Sequence, residues 1–180
     1  MFLNREDIHS ALDSGLLAIE NLTPASIQPA SIDLRLSGHF VKMKNDGDTL
    51  AYSLKQIKSS KLFDTESGSV ILAPGDFCLA STEEIVHLNA VKNQSLIGIL
   101  KAKSSLARAG IFLPNAGWVD PGFHGALTIQ LFNAGSKNVI LQYGDPVVQM
   151  VLSLVTAPEE LYHGGYNNSG GVRTVREGAF

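Results

Sequence analysis

Cysteine is nearly absent from this 180-residue chain, where Cys78 stands alone. One thiol cannot close an internal disulfide, and without paired cysteines the cysteine-based zinc sites are excluded as well. Its neighbours in Phe77-Cys-Leu-Ala80 are apolar, the setting of a buried strand cysteine. Charge is sparse, at 17% of residues with a net value of −3. No extended basic face follows from that balance, so nucleic acid is not an expected partner, although a small anion remains possible where cations gather locally. Long apolar runs are missing too. The stretch from Val147 to Leu154 is broken by Gln149 and Ser153 and is far shorter than a bilayer span. The opening Met-Phe-Leu-Asn-Arg-Glu lacks the basic and apolar blocks of a secretory signal, which points to a cytoplasmic protein with no membrane partner. Walker and dinucleotide fingerprints do not occur. His9, His39, His87 and His163 show no metal-ligand spacing, so no metal site made by the protein is expected.

What is present is a chain 44% hydrophobic, enough for one compact core, with no repeat and no internal linker. One helix is clear near the N-terminus: Asn4 as cap, Asp7 three residues on, Ile8, Ala11 and Leu12 on one face, and Gly15 as the stop. Thereafter the period is that of strands. Ser31 to Leu36 alternates, with Ile32, Leu34 and Leu36 against Asp33 and Arg35. Phe40 to Lys44 repeats the pattern, and Asn45 to Asp48 reads as a turn. Further strands are predicted over 69–73, 77–81, 95–101, 126–132, 138–142 and 147–155, with Pro74-Gly75 and Gly144-Asp-Pro146 as turns. Many short strands between tight turns define an all-β sandwich or barrel. A single domain over 1–161 is expected, followed by a flexible tail or lid over 162–180. There the composition shifts to Gly, Asn, Ser and Arg around Gly164-Gly-Tyr-Asn-Asn-Ser-Gly-Gly171, which buries too little apolar area to order itself.

Two stretches carry chemistry. Lys101-Ala-Lys-Ser-Ser-Leu-Ala-Arg108 gathers two lysines, two hydroxyls and an arginine. Residue types alone fit an ordinary solvated helix start. They also fit a phosphate cradle, in which serine hydroxyls and backbone N–H groups meet anionic oxygens and Arg108 adds a forked donor. Asn115 to Gly125 is a dense loop with two aromatics, three glycines and one acid, Asp120, inside the turn-forming Asp-Pro-Gly. Trp118 suits stacking on a base or packing at an interface, and His124 suits a surface position.

Taken in order, Lys103 to Gly110, Ala116 to Gly125 and Leu131-Phe-Asn133 resemble the paired central motifs of the trimeric dUTPase and dCTP deaminase superfamily. Pro29 to Leu36, Leu72 to Phe77, Gly144 to Met150 and Tyr166 to Gly171 are similar to its early strand, mid-chain turn, late hairpin and C-terminal lid. The resemblance implies a distorted, jelly-roll-type β-barrel with a short N-terminal helix, forming a homotrimer with sites at subunit interfaces. It also implies Mg²⁺ held by the substrate triphosphate rather than by protein ligands. By position, Lys103, Ser104, Ser105 and Arg108 look like triphosphate contacts. Ala116, Gly117, Trp118, Val119 and Gln149 look like base and phosphate contacts, and Phe123 like the aromatic beneath the deoxyribose. Tyr162, Tyr166 and Ser169 belong to the lid side of the same site. Asp120 occupies the acid position that orients or deprotonates the attacking water in the hydrolase branch.

The resemblance places Gln130 where the deaminase branch carries a glutamate that shuttles protons. By strand alternation Gln130 shares a face with Ala126 and Thr128, but an amide has no carboxylate to accept a proton. That departure, with Leu131-Phe-Asn133 leaning toward the hydrolase branch, makes dUTP diphosphatase the expected activity. The alternatives are a dCTP deaminase, forming dUTP or going on to dUMP, and a nucleotide-binding trimer without turnover.

Overall fold

The computed structural model describes residues 1–43, 63–114 and 116–175, so the turn expected at 45–48 lies outside the described residues. Helix α1 spans Arg5–Asp13. Its start is reciprocal, as the sequence implies: the Asn4 side chain accepts from the Asp7 backbone N–H at 2.9 Å, and the Asp7 carboxylate accepts from that of Asn4 at 3.2 Å. Ile8 and Ala11 are buried, and Gly15 at φ +73° ends the helical segment with the left-handed turn expected of it.

Eleven strands follow among the described residues: β1 Leu17–Glu20, β2 Ile32–Met43, β3 Phe63–Ser67, β4 Ser69–Leu72, β5 Phe77–Leu88, β6 Gln94–Ala102, β7 Ile111–Phe112, β8 Trp118–Val119, β9 His124–Asn133, β10 Val139–Gln142 and β11 Pro146–Thr156. A short helix α2, Ser104–Arg108, follows β6. Nine strands form one curled sheet in the order β7-β9-β5-β2-β11-β6-β8, with β1 on β5 and β3 on β2, while β4 and β10 pair separately. The expected all-β, distorted-barrel fold with one N-terminal helix is the one observed. Its core runs through Leu34, Leu36 and Phe40 of β2, Ile129 and Leu131 of β9 and Met150 and Leu152 of β11, all fully buried.

Two long strands curl this sheet, and both break the alternation that the sequence shows. The separate strands read over Ser31–Leu36 and Phe40–Lys44 are one 12-residue β2, whose register against β5 shifts between Leu36 and Phe40. Gly38, at φ +76°, absorbs that bend. β5 runs on past Ser81 to Leu88, shifting register against β9 between Ser81 and Ile85. The Thr82 hydroxyl fills this break: it accepts from the Leu127 backbone N–H at 2.9 Å and donates to the Glu84 carbonyl at 2.8 Å. Glu84, completely buried, accepts from the Arg35 backbone N–H at 2.8 Å and from Arg35 Nε at 2.7 Å. That hydrogen bond to Glu84 holds the Arg35 guanidinium above its ordinary pKa. Cys78 is buried as expected, and burial pushes its thiol up to about 12, leaving it protonated and unreactive.

Candidate functional site

A cavity of about 360 Å³ opens where β9, the loop before it and the C-terminal segment meet. Its construction begins with the turn at Asp120-Pro-Gly-Phe123, closed by the Phe123 N–H donating to the Asp120 carbonyl at 3.1 Å. Gly122 sits at φ +87°, and a Cβ there would stand 2.6 Å from Leu161 Cβ and 2.9 Å from the Tyr162 nitrogen. A glycine at this point therefore lets the later chain cross over the turn. The preceding loop is fixed on β6 by the Leu100 N–H donating to the Gly117 carbonyl at 2.8 Å and by Val119 opposite Gly98.

Ala116, Gly117, Trp118, Val119 and Asp120 line one side of the cavity, and Phe123 is 9% exposed within it. The Phe123 and Tyr162 rings lie 6.2 Å apart at 37°. β9 contributes Ala126, Thr128 and Gln130, the face that alternation assigned to Gln130, and Leu127, displaced by the neighbouring break in register, joins them. Trp118 is 57% exposed, and its Nε1 donates to Asp120 Oδ1 at 2.9 Å, so the indole orients the carboxylate. Asp120 is the single carboxylate among the described lining residues.

Residues 162–175 close the cavity. Asn168 N–H donates to the His124 carbonyl at 2.6 Å, Asn167 Oδ1 accepts from the His124 N–H at 2.6 Å, and the Ala126 N–H donates to the Ser169 carbonyl at 2.7 Å. Ser169 is thereby 2% exposed, and with Tyr162 and Tyr166 it lines the cavity. Arg173 and Thr174 line it too, and were not singled out from sequence. Arg173 donates from its backbone N–H to the Thr128 hydroxyl at 2.9 Å and from Nε to the Ser169 hydroxyl at 3.2 Å. Its place in Gly-Gly-Val-Arg, two residues past the glycines, was the available signal.

The remaining expected contacts are elsewhere. Ser104, Ser105 and Arg108 are exposed on α2 and do not line this cavity. Lys103 is turned to Asp33, donating from Nζ to Oδ2 at 2.5 Å. Gln149 on β11 stands between Asp33 of β2 and Lys101 of β6 in register, beside that pair. The described residues thus form two separate groups: a cavity with an aromatic wall, an acid and an amide, and an exposed hydroxyl-and-guanidinium cluster.

A family profile described as dCTP deaminase-like matches residues 2–155. A "dCTP deaminase, dUMP-forming" of Acidothermus cellulolyticus is 37% identical over 91% of this chain and 85% of its own length. Another, of Persephonella marina, is 33% identical over 98% and 97%. Among solved structures, the 2'-deoxycytidine 5'-triphosphate deaminase from Agrobacterium tumefaciens superposes with a TM-score of 0.62 at 17% identity, covering 84% of this chain. This chain spans about half of that one, 47%. The curled β-fold and the match along almost the whole chain settle the class: this chain belongs to the dCTP deaminase-like family.

The expectation of a dUTP diphosphatase is overturned by these relatives, which carry the deaminase name over nearly their full length. The structure explains why the local signal misled. Leu131-Phe-Asn133 is a sheet-closing feature: Leu131 is core, and Asn133, fully buried, donates from Nδ2 to the Leu72 and Lys137 carbonyls at 2.8 Å each. Neither lines the cavity.

Proposed function

We propose that this protein acts on dCTP in the manner named for its relatives, with dUMP, ammonia and diphosphate as products. Two waters are consumed. One adds at C4 of the cytosine and displaces ammonia, and the other cleaves the bond between the α-phosphorus and the diphosphate. The single observation that carries the reading is the full-length match to dUMP-forming deaminases. Within the cavity, Phe123 and the backbone of 116–119 suit the sugar and base, and the Gln130 amide can both donate to and accept from the pyrimidine edge. Asp120 is the described lining group able to exchange a proton with a water, and Trp118 Nε1 holds one of its oxygens.

Arg173 is the cavity's one described cationic side chain, too little for a triphosphate. A homotrimer that brings Ser104, Ser105 and Arg108 of one protomer to the cavity of the next would supply the missing donors, which is why self-association belongs to the proposal. A lone carboxylate makes no oxygen cage for Mg²⁺, so that ion fits as a passenger on the triphosphate, where it neutralises charge.

A second reading, nucleotide binding without turnover, is favoured by Gln130, which offers no proton-accepting carboxylate at the β9 position facing the cavity. One experiment separates the two: dCTP, dUTP and dTTP are incubated side by side with Mg²⁺, and nucleotide products, ammonia and diphosphate are measured together with binding. Formation of dUMP and ammonia from dCTP supports the first reading, and saturable binding with all three returned intact supports the second. Cleavage of dUTP with dCTP untouched overturns both. If the second holds, Gln130→Glu is expected to bring measurable dUMP and ammonia formation from dCTP, since a positioned general base is worth ~10²–10⁴-fold.

A further inference from the structure

Beside the cavity but outside its lining, β1, β5 and β9 meet at a corner carrying three side chains with metal-binding atoms. Glu20 ends β1, His87 lies one residue before the end of β5, and His124 opens β9. The β5–β9 register sets His87 directly opposite His124. On the other side His87 is opposite Ala18, which puts Glu20 at the diagonal position on the same face of the pair. The two imidazole centroids are 3.7 Å apart, tilted by 36°, and His87 Nε2 is 3.1 Å from Glu20 Oε1. One ligand-type atom from each of the three falls within 4.8 Å of the other two. None of the three lines the cavity described above.

We propose that Glu20, His87 and His124 form a binding site for a divalent transition metal ion of the zinc type, with water completing its coordination. Donor chemistry selects the class: two imidazoles and a carboxylate suit zinc, cobalt, nickel or copper, whereas Mg²⁺ and Ca²⁺ prefer all-oxygen shells. Distances allow it. Tetrahedral zinc with ligands at about 2.0–2.1 Å separates them by roughly 3.4 Å, a spacing His87 and Glu20 already meet at 3.1 Å, so a pair at the 4.8 Å limit must close by roughly 1.4 Å. Side-chain rotation is the motion available for that closure. Glu20 is 63% exposed in its side chain and His124 is exposed, so both are free to change rotamer over a rim fixed by two strand ladders. His124 is held further by its backbone bonds to Asn167 and Asn168, so a bound ion would brace the corner on which the cavity-closing segment is anchored.

The test uses the full chain without an affinity tag, stripped with a chelator and kept free of nucleotide. Zn²⁺ titration by calorimetry is expected to show one ion per chain, and Co²⁺ is expected to give the visible absorption of a tetrahedral site. Millimolar Mg²⁺ should not compete. Glu20→Gln and His124→Asn, both at exposed side chains, should each weaken binding by at least about tenfold, since even outer-shell changes cost metal sites 10–100-fold. Unchanged metal-free melting confirms that these variants remain folded, and His87→Asn adds a third measurement if it folds. The proposal is overturned if Co²⁺ gives no tetrahedral spectrum, or if His124→Asn binds Zn²⁺ as tightly as the unaltered chain.

Discussion

Replacing Gly125 by alanine should release the cavity-closing segment while leaving the barrel folded. Gly125 sits at φ +146°, and a Cβ there would lie 2.7 Å from the Ser169 nitrogen and 2.9 Å from its carbonyl oxygen. Both obstacles are backbone, so no side-chain rotation relieves them. Three hydrogen bonds depend on this approach: Ala126 N–H to Ser169 carbonyl at 2.7 Å, Asn168 N–H to His124 carbonyl at 2.6 Å, and His124 N–H to Asn167 Oδ1 at 2.6 Å. At ~0.5–1.5 kcal/mol net for each bond, their loss comes to roughly 3 kcal/mol. Alanine at a positive φ adds ~1–3 kcal/mol wherever β9 keeps its conformation. A penalty of about 3 kcal/mol shifts docking of the segment roughly a hundredfold, at 1.4 kcal/mol per tenfold. Hydrogen exchange followed by mass spectrometry should therefore show faster exchange over 167–171, alongside weaker nucleotide binding and a melting temperature lower by no more than roughly 2–12 °C, the share set by strain in β9. Gly170→Ala is the control, because a Cβ there meets nothing within 4 Å, and it should behave like the parent. Equal protection of 167–171 in Gly125→Ala and Gly170→Ala would refute the reasoning.

Two further outcomes follow from ion pairs that do not line the cavity. Glu84→Ala removes the fully buried partner of Arg35, whose own side chain is 25% exposed and can partly rehydrate. Thermal unfolding should show a loss of about 3 kcal/mol, the low end for breaking a buried pair, and a Tm lower by roughly 6–12 °C for a domain of this size. Asp76 is pulled upward by burial, but Lys42 Nζ at 2.6 Å and the Ala73 N–H at 2.9 Å outweigh it, and its pKa is lowered. The carboxylate therefore stabilises the fold fully above its ordinary value of about 3.9, and that contribution fades as pH falls through the lower folded value. Urea unfolding should find Asp76→Asn less stable than the parent at pH 7, with the gap narrowing in acid; a constant gap would contradict this sign.

Much of the cavity lining was legible because its members are close in sequence. Ala116 to Asp120, Phe123 and Gln130 fall within one loop and the strand after it, and all line the cavity together with Tyr162, Tyr166 and Ser169 of the C-terminal segment. Strand alternation placed Gln130 correctly with Ala126 and Thr128, since a period of two survives wherever a strand is regular. The predicted strand stopped at residue 81, whereas β5 runs on through Thr82-Glu83-Glu84, where its register breaks and a buried carboxylate takes a position that reads as polar surface. β1 and β3 escaped notice as four- and five-residue strands whose pairing lies with distant partners.

Local patterns thus account for the capped helix, the β class and the family, because capping, alternation and ordered motifs are each written within a few residues. Long-range pairing settled the rest. Asn133 acts as a clamp on two carbonyls, Lys103 turns to Asp33, the α2 hydroxyls stand apart from the cavity, and His87 meets Glu20 across 67 positions. Which face a side chain presents, and to whom, depends on strand register and sheet curl. Those are set by the burial of the whole core at once, and no single stretch of the chain encodes them.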